Sequence, residues 1–125
     1  MKKIRLALFA LTAALIATGA AAQFDDGSFH EQSGEDIYKN ICQGCHMPDA
    51  KGAVGAGMYP ALAKNPRLEI SAYPISIILH GQKAMPWFGD YFSDQQVANV
   101  VNYIRSNFGN RYRDKVKPGD VKALR

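Results

Sequence analysis

A chain of 125 residues with 47% hydrophobic and 21% charged side chains is sized and composed for one globular domain. It is not collagenous, coiled-coil or largely disordered, and two cysteines are too few for a disulfide-stapled scaffold. Fifteen basic against eleven acidic residues give a formal charge of +4, but Lys2, Lys3 and Arg5 fall in a segment expected to be removed, leaving +1.

That segment is Met1 to Ala22. Lys2, Lys3 and Arg5 form a positive start, Leu6 to Ile16 is an apolar run broken only by Thr12, and Ala20-Ala21-Ala22 is a small-residue cleavage site before Gln23. These are the three parts of a secretory signal peptide. Leu6 to Ala22 sits at the lower edge of membrane-spanning length, and the small residues at its end favour cleavage over anchoring. No second apolar stretch reaches spanning length. The expectation is a periplasmic protein of about 103 residues, with no stable membrane insertion once residues 1–22 are removed.

Residues 23–32 hold Asp25, Asp26 and Glu31 with no period and read as a mobile arm ahead of a domain over 33–125. Ser33 is an N-cap candidate with Asp36 three residues on. The helix it opens places Gly34, Tyr38 and Cys42 on one stripe beside Ile37 and Ile41, and Gly44 and Pro48 predict a stop near Cys42. Met47 to Lys64 carries three Gly, two Pro and no helical period, so it is a long loop of the kind that wraps something or serves a function. Pro66 predicts a short helix through Ile70. Pro74, at the first helical position, predicts another, with Ile75, Ile78 and Leu79 inward and Gly81 as a left-handed stop. Gln82 to Phe92 is a second loop. The last helix is the best marked: Ser93 caps it, Gln96 completes a capping box, and Phe92 and Val97 form a hydrophobic staple. Val97, Val100, Val101, Ile104 and Phe108 make its apolar face, and Gly109 ends it. A basic tail runs from about residue 110. No segment alternates as a strand should, so the fold class is all-α, with three to five helices.

Cys42-Gln43-Gly44-Cys45-His46 is C-x-x-C-H, the pattern of covalent haem c attachment. Two thiols three residues apart at a helix end reach the two vinyl groups on one edge of the macrocycle, and the adjacent imidazole projects beneath the iron as proximal ligand. A thioredoxin-type disulfide competes, but it follows a strand and opens a helix within a βαβ unit. A zinc site also competes, yet it crowds Cys42, Cys45 and His46 onto one knuckle with only His30 or His80 to complete it. Size favours one haem. A chain this short has a thin core, and a porphyrin face lets Ile75, Ile78, Leu79, Met58, Trp87 and Phe88 bury against it.

The second axial ligand decides between electron transfer and ligand chemistry. Met47 adjoins His46 and cannot reach round the ring, Met58 lies in the loop expected to wrap the proximal side, and His30 is in the arm. Met85, 39 residues from His46 and stiffened by Pro86, is the first choice, with His80 second. A thioether opposite an imidazole leaves no open site on iron, which suits passing electrons rather than binding oxygen.

These residues resemble a class I cytochrome c over nearly all of Gly34 to Phe108. The pieces are Gly34-x-x-x-Tyr38-x-x-x-Cys42-x-x-Cys45-His46, Gly57-x-x-Pro60-x-Leu62, Gly81-x-x-x-Met85-Pro86, and Phe92-Ser93-Asp94-x-Gln96 leading to Val100-x-x-Tyr103-Ile104. The resemblance implies that the first and last helices cross, with Gly34 at the close approach and Tyr38 near Tyr103. It implies that the Pro60 carbonyl accepts the Nδ1–H of His46 and that Met85 is the distal iron ligand. The tail, Phe108-Gly109-Asn110 and then Val116, Val121, Leu124 and Arg125, is similar to the cytochrome subunits and acceptors of bacterial periplasmic dehydrogenases.

The resulting expectation is an electron carrier rather than an enzyme. It takes electrons one at a time from a flavoprotein or quinoprotein dehydrogenase and passes them to the respiratory chain. The exposed haem edge, ringed by Met47, Pro48, Ala84, Pro86 and Trp87, would be the docking surface. A haem enzyme or gas sensor, and a permanent subunit of a dehydrogenase complex, are the alternatives. Nucleic acid is not an expected partner, because the basic tail lacks interleaved aromatics.

Overall fold

Five short α-helices, one π turn, one 3-10 turn and one small hairpin make up the computed structural model, which describes residues 28–125. The expected signal peptide over 1–22 and the first part of the arm, 23–27, lie outside the described residues. Among the described residues no helix is long and apolar enough to cross a membrane.

The first rod runs through α1 (Gly34–Ile37), a π turn (Tyr38–Cys42) and α2 (Gln43–His46). Ser33 caps it as expected, its Oγ accepting the Asp36 N–H at 3.0 Å. The rod does not stop near Cys42: it carries the whole C-x-x-C-H motif to His46 and breaks at Met47, whose φ is 68°. One Gly44 costs a helix only about 1 kcal/mol against Ala, too little to end it here. The π turn, closed by Gln43 N–H to the Tyr38 carbonyl, holds an extra residue and so rotates the motif relative to the Gly34–Tyr38 stripe.

The loop from 47 to 64 contains a two-residue antiparallel ladder, β1 (Ala53–Val54) against β2 (Met58–Tyr59), with Ala53 opposite Tyr59. Strands so short display no alternation, which is why an all-α reading passes over them. A 3-10 turn (Pro66–Leu68) stands where a short helix through Ile70 was expected. Helix α3 (Ala72–His80) begins two residues before Pro74, with Ser71 at its cap, so Pro74 sits inside the first turn, where a missing N–H costs nothing. Gly81 does end α3, but with φ 71° and ψ 168°, outside the left-handed helical well.

Helix α4 (Asp94–Ser106) has the full capping box: Ser93 Oγ accepts the Gln96 N–H, and Gln96 Oε1 accepts the Ser93 N–H at 2.8 Å. Val97, Val100, Val101 and Ile104 are all buried, as is Phe92 of the staple. The helix ends two residues before Phe108, which turns to a φ of 55°; its ring nevertheless packs on Tyr38 at 4.7 Å and Tyr103 at 5.6 Å. Tyr38 and Tyr103 pack at 5.8 Å. A Cβ on Gly34 would stand 2.1 Å from the Asn99 carbonyl oxygen, so only glycine permits this crossing of α1 and α4.

The end of the arm that was expected to be mobile and the basic tail are both fastened down. Residues 28–32 lie along α4: Gln96 Nε2 donates to the Phe29 and Glu31 carbonyls, Asn99 Nδ2 donates to Gln32, and the Phe29 ring sits 5.0 Å from Phe92. The basic tail returns over α4 and adds α5 (Pro118–Lys122), burying Val116 and Val121. Asn102 pairs with both backbone groups of Val116 at 2.9 Å.

Candidate haem site

His46 closes the first rod and is 8% exposed. Its Nδ1 lies 2.9 Å from the Pro60 carbonyl oxygen. A carbonyl only accepts, so Nδ1 carries a proton, and the tautomer this selects is the one whose lone pair is on Nε2. No described residue hydrogen-bonds Nε2. This contact across fourteen residues depends on the hairpin. Gly52, at φ 67°, brings the chain so close to its return stroke that a Cβ would stand 2.0 Å from the Tyr59 carbonyl oxygen. Gly52 N–H also donates to the His46 carbonyl at 3.1 Å, and the Leu62 and Ala63 amides both donate to the Ala50 carbonyl. The loop is therefore pinned to the motif at both ends, with Pro60 aimed at the imidazole. Gly52 is one of three glycines in this loop, and nothing local in the sequence separates it from Gly55 and Gly57.

Both cysteines are free thiols. Cys42 is half-buried, and burial pushes its thiol up to about 12, with the neighbouring Cys45 adding to the rise. A proton is thus held on the inner sulfur, while Cys45 is exposed. Tyr38 stands behind the motif. Its hydroxyl donates to the Met47 carbonyl at 2.7 Å, and burial raises it to about 12. The motif ends a helix and lies in no βαβ unit, unlike a thioredoxin site. Among the described residues no three His, Cys, Asp or Glu side chains converge as metal ligands, so the zinc knuckle has no geometric basis.

Met85 lies on the other loop, half-buried against the core, in a tight turn where its N–H and C=O pair with those of Gln82 at 3.0 and 3.1 Å. A Cβ on Gly81 would meet the Met85 carbonyl oxygen at 2.8 Å and the Trp87 nitrogen at 2.9 Å, so that glycine lets the loop fold back on the end of α3. Phe88 N–H to Ile78 and Gly89 N–H to Leu79 complete the seam. His80 faces the tail: its Nε2 lies 3.0 Å from the Leu124 carbonyl, so this nitrogen is the protonated one. Trp87 is 55% exposed and Met58 72%, large apolar surfaces with no protein cover. Trp87 Nε1 donates to Asp90. Ile75, Ile78 and Leu79, by contrast, are buried in the protein core. The structure joins His46 to Pro60 directly and carries Met85 and Trp87 together on a separate, braced loop.

The family model described as cytochrome c oxidase, cbb3-type, subunit III matches residues 30–104. The chain is 36% identical over 106 residues to the cytochrome c subunit of the quinone alcohol dehydrogenase of Gluconacetobacter polyoxogenes, covering 74% of this chain and 22% of that protein. It is 34% identical over 108 residues to the gluconate 2-dehydrogenase cytochrome c subunit of Pantoea cypripedii, covering 75% and 24%. To cytochrome c6 of Gracilaria tenuistipitata var. liui it is 31% identical over 85 residues, covering 62% and 73%. The chain thus spans about a quarter or less of the two dehydrogenase subunits. The matched stretch holds the rod, both loops and most of α4 in one unit, and on that ground the chain belongs to the cbb3-type subunit III family of c-type cytochromes.

Proposed function

We propose that this chain is a periplasmic monohaem cytochrome c that takes electrons from a dehydrogenase and delivers them to a respiratory-chain acceptor. The observation that carries the reading is the His46 imidazole, with Nδ1–H fixed on Pro60 and the Nε2 lone pair uncommitted, one residue from a reduced thiol and four from another. That donor set fits haem c. Cys42 and Cys45 would each add S–H across a vinyl group, giving two thioethers with no change of oxidation state. His46 would be the proximal ligand and Met85 the distal one. Pro60 would hold the imidazole plane, and Trp87 would offer its exposed ring to the haem. The bound iron supplies a one-electron couple between its ferrous and ferric states.

The rest is done by the chain. The Nδ1–H bond makes Nε2 a better donor and stops the ring rotating. Two braced loops would hold both ligand positions in either oxidation state, which would keep reorganisation small. Half-buried Cys42 and the exposed apolar surfaces of Met58 and Trp87 would cover a bound porphyrin and exclude water from it.

The dehydrogenase partner rests on relatives whose names make them cytochrome subunits of alcohol and gluconate dehydrogenases. The same names favour a second reading, a permanent subunit, while the match to most of cytochrome c6 favours a free carrier. Carbon monoxide added to the reduced holoprotein tests the electron-carrier role. No rapid spectral change is expected, and fast binding would replace the carrier with a gas-binding or catalytic haem protein.

A further inference from the structure

The segment after α5 is fastened to the loop that carries Met85. Arg125 Nε donates to Asp94 Oδ1 at 2.6 Å, one terminal nitrogen donates to the Phe92 carbonyl at 2.6 Å, and the other donates to the Gly89 carbonyl. His80 Nε2–H donates to the Leu124 carbonyl at 3.0 Å. Buried Val121 and half-buried Leu124 seat this segment in the core. The loop leaves α3 at Gly81 and enters α4 at Ser93, so the contacts hold it at both feet: His80 where it departs, Gly89, Phe92 and Asp94 where it arrives. Met85 itself makes backbone bonds only to Gln82, so its position is set by the Phe88 and Gly89 amides on α3, by its packing on the core and by these feet.

We propose that Arg125 is a positioning residue that keeps the Met85 loop closed, and so keeps the thioether on the iron; this rests on Met85 being the distal ligand. Arg125 touches neither ligand nor haem edge. It acts by joining two carbonyls and one carboxylate of the loop's foot through one planar guanidinium, which a lysine ammonium does not reproduce. Loss of the clamp raises the fraction of molecules in which Met85 is off the iron.

The test is an imidazole titration of the ferric holoprotein, read by loss of the near-infrared sulfur-to-iron charge-transfer band. Imidazole binds only when Met85 has left, so its apparent Kd is the intrinsic value divided by the open fraction. Arg125→Ala is expected to tighten imidazole binding about tenfold. Asp94→Asn, which removes only the half-exposed charge partner, is expected to tighten it about threefold. Affinity unchanged in Arg125→Ala overturns the proposal, including the case where its thermal midpoint falls, since a merely structural role gives that pattern. If Arg125→Ala does not accumulate with haem, Asp94→Asn decides in the same two directions. Met85→Ala checks the underlying reading: the band is expected in the parent and absent from this variant. A parent without the band overturns both the Met85 assignment and the clamp, whereas a band lost only in Met85→Ala, with imidazole affinity constant across the others, overturns the clamp alone.

Discussion

Replacing Arg105 with alanine should be the most damaging single change outside the haem site. Its side chain is 1% exposed and ends in a ring of acceptors. Nε donates to Leu68 O at 2.8 Å, one terminal nitrogen to Asp114 O at 2.7 Å, and the other to Glu69 O and both Asp114 carboxylate oxygens at 2.8 Å. The guanidinium also lies 5.7 Å from the Tyr112 ring centre. One residue of α4 therefore ties down the 3-10 turn and the start of the tail. Each charge-assisted bond to a carbonyl contributes about 1.5–3 kcal/mol, and the carbonyls left behind recover only part of that from water. Asp114 is exposed and rehydrates freely, so the cost lies with the carbonyls of Leu68 and Glu69. The net loss should be about 3–4 kcal/mol, a large share of a typical 5–15 kcal/mol total and roughly 15–25 °C in Tm. Denaturant unfolding of the holoprotein, followed by far-ultraviolet circular dichroism, measures it. Arg105→Met keeps the stem but strands the same carbonyls, and should cost nearly as much. A loss under about 1 kcal/mol in Arg105→Ala, or a methionine variant as stable as the parent, would refute the assignment of the energy to these bonds.

Two further outcomes follow from the same geometry. Gly34→Ala places a methyl 2.1 Å from a backbone carbonyl of α4, so the crossing must open; a loss of about 3 kcal/mol is expected in the same unfolding assay. The Arg105 guanidinium holds the Asp114 carboxyl below its ordinary value of 3.8. A depressed folded value contributes stability at higher pH that disappears as pH falls through it, so Asp114→Asn should flatten the acid limb of a Tm-against-pH curve below about pH 4.

The parts of the fold legible in the sequence are those whose cause is local. Ser93 and Gln96 cap α4 because the box needs only three residues of spacing, and the valine stripe finds its face by period alone. Gly34 and Tyr38 were legible through resemblance, and the crossing they make is present. Where structure and expectation differ along the helices, packing outweighs a local breaker. Gly44 did not end the first rod, and Pro74 did not open α3. The end of the arm and the 3-10 turn are held by partners distant in sequence. Gln96 reaches back 67 residues to Phe29, and Arg105 reaches 37 to Leu68. At the site, the motif itself was plain, whereas Gly52 and the Arg125 clamp exist only through approaches that close in three dimensions.

The central claim is that one haem is held through Cys42 and Cys45. Intact mass spectrometry of the denatured protein, produced with haem-maturation machinery and washed in acidified organic solvent, tests it most directly. A mass of residues 23–125 plus a single haem, stable to the wash, is expected. A mass equal to the polypeptide alone, with the pigment recovered in the solvent, would contradict it.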